Sequence, residues 1–279
     1  MTAALTEPRP DPESLPQATG RTRRGPRWWL EILYGAIFYA IYSAIRDVRG
    51  TKPVSVFQAY TNATRLIRAE RFLHIFHEQA IQSWFLGWHW FLRFWDAYYG
   101  SGHFIVTIAA LLFLFFRQPQ RYALWRNVLA ITTALALLGF AFFPLMPPRL
   151  LPESYGFVDT LRSVGGLWSF DSGPMNAVSN QYAAMPSLHF AWSTWCALVF
   201  APTLKHWWSK ALVFLYPVAT LFCIVVTANH YFLDALGGAL CLAVGYLLGR
   251  LLTSLSDARK QRQVNGPSPA PSSPVRSLT

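Results

Sequence analysis

Apolar residues fall in long, nearly unbroken runs near 28–45, 99–116, 127–146, 187–204, 210–228 and 231–252. Each run is close to the ~20 residues that carry a helix across a bilayer core. The pattern therefore predicts six transmembrane helices. Two stretches read differently. Residues 55–80 interleave arginines with apolar residues at helical spacing, which predicts an amphipathic helix lying in the membrane interface. Residues 81–98 are aromatic but carry His89, Arg93 and Asp96, and are expected to lie partly in the membrane. Residues 1–25 and 255–279 are Pro-, Arg- and Ser-rich and predict disordered tails around one membrane-embedded domain, 26–254. The first run follows Arg21, Arg23, Arg24 and Arg27. The polar stretch before it is too long for a signal peptide and no small-residue cleavage site follows, so it reads as an uncleaved span. The fold class is all-α: a polytopic membrane bundle of about six helices plus an interfacial helix.

Composition sharpens this. The chain is 53% hydrophobic and 13% charged, about half the charge of a soluble domain. Its twelve tryptophans suit helix ends in a headgroup layer. A net charge of +11 does not point to nucleic acid, because the basic residues flank apolar runs instead of forming one stripe. They read as topology signals and lipid contacts. Cys196, Cys223 and Cys241 lie inside apolar runs without metal-ligand spacing and read as packing residues.

Charge also orients the spans. With both termini cytoplasmic, the two tails and residues 117–126 and 205–209 hold most of the arginines and lysines, whereas residues 147–186 hold only Arg149 and Arg162. Residues 46–71, with six basic residues on the outer side, run against the rule. In this topology Pro147-Pro148-Arg149, Met185-Pro186-Ser187-Leu188-His189 and Asn229-His230-Tyr231-Phe232-Leu233-Asp234 all reach the extracytoplasmic face of a cell membrane.

These clusters carry the candidate chemistry. Pro186 suits a first helical turn, where its missing N–H costs nothing. The free N–H groups beside Ser187 then form a natural phosphate cradle. His189 is close enough to donate a proton to a leaving oxygen. His230 and Asp234 share a helix face, so the carboxylate can fix one ring nitrogen and leave the other free to attack. Which histidine attacks is left open by the residues alone. Arg149 is a guanidinium suited to clamping phosphate oxygens. Glu70, His74, His77 and Glu78 fall at helical spacing; a metal site is conceivable, but the reading preferred is a solvated helix face.

Together the motifs resemble the type-2 phosphatidic acid phosphatase superfamily, most closely its inositol phosphorylceramide synthase-like branch, over roughly residues 28–253. Pro186-Ser187-Leu188-His189 is similar to the family's second motif, and His230 with Asp234 to the close of its third. The family's first motif is a lysine, six residues, then Arg-Pro. If Arg149 is that arginine, Phe142 stands at the lysine and Leu150 at the proline. Ile224 stands where the third motif usually has arginine; Arg46 and Arg49 are candidate substitutes. The resemblance implies a metal-independent enzyme without cofactor. His230 would form a phosphohistidine, Asp234 would orient it, His189 would protonate the leaving group, and Ser187 and Arg149 would hold the phosphoryl oxygens. The partners implied are a lipid phosphate and membrane lipids. The acceptor would be water in a phosphatase, or an alcohol in a phosphotransferase moving an inositol-phosphate-type group. The competing reading is a non-catalytic lipid carrier or flippase. A metal-dependent alcohol phosphotransferase is excluded, because the thirteen acidic residues are scattered instead of clustered on one helix.

Overall fold

The structure, a computed structural model, describes residues 28–31, 33, 35, 36, 40, 55–165 and 181–264. Seven helices longer than one or two turns occur in the two continuous stretches: α1 (Val56–Phe72), α2 (Glu78–Phe85), α3 (His89–Arg117), α4 (Pro119–Phe142), α5 (Leu188–Phe200), α6 (Trp207–Val226) and α7 (Phe232–Val264). Among the described residues there is no strand, only an isolated bridge between Leu145 and Ala183.

Four of these, α3, α4, α6 and α7, are long and apolar enough to cross a membrane. Their outer faces carry exposed apolar side chains such as Ile105, Leu112, Leu215, Leu240 and Leu247, as lipid contact requires. The chain is thus an all-α membrane bundle. The expected first span, 28–45, lies largely outside the described residues, as do Arg46 and Arg49. The expected span 187–204 is α5, only 13 residues, or about 20 Å at 1.5 Å rise. It is an inner helix: Ala191, Ser193, Trp195, Cys196, Ala197 and Val199 are buried, and it packs on α3, α4, α6 and α7.

Two boundaries differ from the sequence reading. The third long element begins at His89, ten residues before 99, because a π-helical turn, Tyr98–Gly102, joins the aromatic stretch to the apolar one without a break. At the other end α7 continues to Val264. Residues 255–264 are mostly good helix formers, so the helix runs on past the apolar stretch.

Glycines set how closely α7 approaches its neighbours. A Cβ at Gly245 would meet Thr132, and one at Gly249 would meet Val128, both on α4. One at Gly238 would meet the Ser187 carbonyl at the start of α5. Such small-residue contacts let helix backbones pack closely inside a membrane.

The amphipathic stretch 55–80 forms two helices instead of one. Ser55 caps α1 by accepting from the Gln58 N–H at 3.2 Å. Ala59, Asn62, Ala63, Leu66, Ile67 and Glu70 form its buried face, while Arg65, Arg68 and Arg71 are exposed. Here the sequence reading needs correction. Glu70 and Glu78 are not on a solvated face; both are fully buried. His74 and His77 are exposed, so the four residues do not converge. Glu70 follows the apolar stripe of α1 at helical spacing, and the structure packs that stripe on the segment after α4 and the α6–α7 turn, with the Glu70 carboxyl reaching the start of α7.

Candidate active site

Three breaks between helices meet at one end of the bundle: the segment after α4, the segment before α5, and the α6–α7 turn. Backbone groups stitch them together. Leu145 N–H donates to the Tyr182 carbonyl at 2.8 Å, Arg149 N–H to Ala228 at 2.8 Å, and Ser187 N–H to Asp234 at 2.9 Å. The α6–α7 turn is tight. Ala228 has φ of 51°, and the Asn229 and His230 N–H groups both return to the Ile224 carbonyl, at 3.0 and 3.1 Å. Tyr231, fully buried, donates its hydroxyl to the Met146 carbonyl at 3.1 Å.

This stitching gathers all five expected site residues. His230 is 3% exposed. Its Nδ1 lies 2.8 Å from the Ala184 carbonyl and 3.3 Å from Asp234 Oδ2. A carbonyl oxygen can only accept, so Nδ1 carries the proton and Nε2 presents a lone pair. Nε2 is buried and, among the described residues, has no hydrogen-bond partner. Asp234 Oδ2 also accepts from the Tyr231 N–H at 2.9 Å, which fixes the carboxylate. Sequence reasoning anticipated the aspartate. It could not anticipate Ala184, which acts through its backbone and makes the shorter bond.

His189 faces His230, with ring centroids 5.5 Å apart. Ser187 is the N-cap of α5, accepting from the Phe190 N–H at 3.4 Å, and is fully buried. Two aromatic neighbours of His189 were not singled out from sequence. Tyr99 stacks on its ring with centroids 4.2 Å apart, and the His103 ring, tilted, lies 4.1 Å away. Both come from the π-helical turn of α3 or directly after it. Gly100 and Gly102 are the one sequence hint of an irregularity there, and π-bulges are frequent at functional sites.

Arg149 comes to the same cluster. Its Nε donates to Asn229 Oδ1 at 3.0 Å, and its Nη1 pairs with Asp159 at 2.9 Å. The guanidinium is thereby held beside the His230 turn, with a carboxylate already occupying part of its fork. Phe142 and Ile224, at the positions of the family's missing cations, supply no substitute: Phe142 is 70% exposed, and Ile224 is fully buried among Val225 and Ala235. Among the described residues, no group of three or more His, Cys, Asp or Glu side chains is placed to hold a metal.

The arrangement can do covalent group transfer. It offers one nitrogen with a free lone pair, a second imidazole opposite it, a guanidinium, and a helix start at Ser187. No curated protein and no solved structure gives a significant match to the chain. A profile of the PAP2 superfamily matches residues 64–248, a span that contains Arg149, Ser187, His189, His230 and Asp234. More than half of the chain is covered, and this match, with the gathered histidines, shows that the chain is a membrane protein belonging to the PAP2 superfamily, a phosphatase-type family.

Proposed function

We propose that the protein transfers the phosphoryl group of a lipid phosphate ester through a phosphohistidine on His230. The Nε2 lone pair attacks phosphorus, and the bond to the leaving alcohol or phosphate oxygen breaks. His189 gives that oxygen its proton. Asp234 and the Ala184 carbonyl hold Nδ1–H and so stabilise the positive charge that develops on the ring. Water, or an alcohol such as inositol, then attacks the phosphohistidine as His189 takes back a proton. Arg149, after loosening from Asp159, and the start of α5 at Ser187 hold the phosphoryl oxygens.

The observation that carries this reading is the Nδ1 contact with Ala184 at 2.8 Å. His189 is likewise held by a backbone partner, Tyr99, so it is the Asp234 carboxylate on the same Nδ1 at 3.3 Å that supports His230 over His189 as the nucleophile, a choice left open by the residues alone. The reading needs no divalent metal. It sets the site on the extracytoplasmic face, with both termini inside, on the strength of the arginine distribution. Incubating purified protein with labelled lipid phosphates in chelator, with and without inositol, separates the possibilities. Free phosphate means a phosphatase and an inositol-phosphate product a transferase. Absence of any product would leave the carrier reading.

A further inference from the structure

The two buried glutamates find no use in the reaction just described. Glu70 on α1 and Glu78 on α2 are each 0% exposed. Burying carboxyl groups is costly unless they are bonded and matched. Their partners are informative. Glu70 Oε1 accepts from the Leu233 N–H at 2.8 Å, and Glu78 Oε1 accepts from the Phe232 N–H at 3.0 Å. Asp234 takes the Tyr231 N–H. Thus the three consecutive N–H groups after His230 are each held by a different carboxyl group, two of them from distant elements. A helix start is ordinarily satisfied by one capping side chain or by water.

The second oxygens are equally informative. Oε2 of both glutamates is buried and meets no N–H or O–H donor among the described residues. The two side chains lie within hydrogen-bonding reach of each other, and two carboxylates offer only acceptors, so a bond between them requires one to be protonated. Burial, and then Glu78 beside it, push the Glu70 carboxyl from 4.5 up to about 9. Near neutral pH the Glu70 carboxyl therefore keeps its proton, at the first turn of α7.

We infer that Glu70 and Glu78 are positioning residues for the nucleophile: a buried carboxyl pair that clamps the first turn of α7 and thereby keeps His230 Nε2 aimed at the phosphorus. The role in catalysis rests on the phosphohistidine reading; the clamp itself does not. Asp234 Oδ2 touches both the Tyr231 N–H and His230 Nδ1, so any slip of residues 231–234 moves the nucleophile and its orienting carboxylate together. A metal is not the better explanation. One oxygen of each glutamate is already bonded to a backbone N–H, and the neighbouring His74 and His77 are exposed.

The test uses full-length protein in detergent, with Glu70→Ala and Glu70→Gln. Two quantities are measured: amide hydrogen exchange of the peptide spanning 227–236, and kcat and KM for a lipid phosphate. Glu70→Ala is expected to speed exchange at 231–233 and to lower kcat about 100-fold, the scale of a 1 Å misplacement, with KM changing by less than about threefold. Glu70→Gln recovers most of both losses, because its carbonyl can accept from Leu233 and its amide can donate to Glu78. If Glu70→Ala does not fold, Glu70→Asp, too short to reach Leu233, takes its place in the comparison. Unchanged exchange in the Ala variant, a Gln variant as impaired as the Ala variant, or an effect on KM alone overturns the inference. If wild-type protein forms no phosphoenzyme, yet exchange responds to Ala and not to Gln, the clamp stands and the functional reading falls.

Discussion

His230 and His189 have separable duties in this account, and single substitutions read them apart. His230→Ala is expected to abolish turnover and any phosphoenzyme, because the covalent intermediate forms on that ring. His189→Ala loses a general acid, worth about 10²–10⁴-fold, and less when the leaving group is stable as an anion. An activated aryl phosphate should therefore partly rescue His189→Ala and leave His230→Ala inert. Asp234→Asn should fall between them, since Ala184 still holds Nδ1 at 2.8 Å. A reversed rescue pattern, measured by steady-state rates on the two substrates, would exchange the roles of the histidines. Glu70 gives a second prediction. Its carboxyl is raised from 4.5 to about 9 by burial and by Glu78, with Asp234 adding to the effect and the Leu233 N–H opposing it. The folded state then keeps a proton that the unfolded chain releases. This contribution is full below about 4.5 and is lost as pH rises toward about 9. Thermal unfolding midpoints in detergent should fall over that range, and Glu70→Gln should flatten the slope. At this scale the sequence was legible where chemistry lies in side chains at a regular spacing, as in His230 with Asp234. It was not legible where a backbone carbonyl acts, as at Ala184. Glu70 was misread although its place in line with Ala59, Ala63 and Leu66 was visible, because a charged residue on an amphipathic helix is ordinarily solvated.

The approach of α5 to α7 at the level of elements depends on Gly238, where an added Cβ would meet the Ser187 carbonyl. Backbone cannot yield as a flexible side chain can. Gly238→Ala is expected to cost about 1–3 kcal/mol by overpacking and to reduce activity, since Ser187 N–H is tied to the Asp234 carbonyl at 2.9 Å. Gly87→Ala, with nothing within 4 Å, should stay within about 0.5 kcal/mol of wild type. Denaturation midpoints of the two variants check this; equal effects would mean the close contact is not needed. Most long helices could be read from apolar run length. The joining of His89 to Arg117 through a π-helical turn could not, because that turn has no period of its own, and it is what brings Tyr99 and His103 to His189.

For the whole molecule, the sequence announced an all-α membrane bundle by its low charge and long apolar runs, and the described helices agree. It overstated α5, because an apolar run buried among other helices looks the same as one facing lipid. The gathering of Arg149, Ser187, His189 and His230 at one end follows from alternating helix direction, which run counting does provide. Orientation is a separate question that labelling answers. Single cysteines at Ser154 and His206, both exposed, in a background lacking Cys196, Cys223 and Cys241, should react with an impermeant reagent on intact cells at 154 and not at 206. The opposite pattern would turn the site to the cytoplasm.

The most direct test of the central claim is to trap the intermediate. Wild-type protein is mixed with a lipid carrying labelled phosphate in chelator, quenched in alkali, digested and mapped. The account predicts an alkali-stable, acid-labile label on the peptide containing His230, absent from His230→Ala. Label on His189 or another side chain, or turnover without any labelled protein, would contradict it.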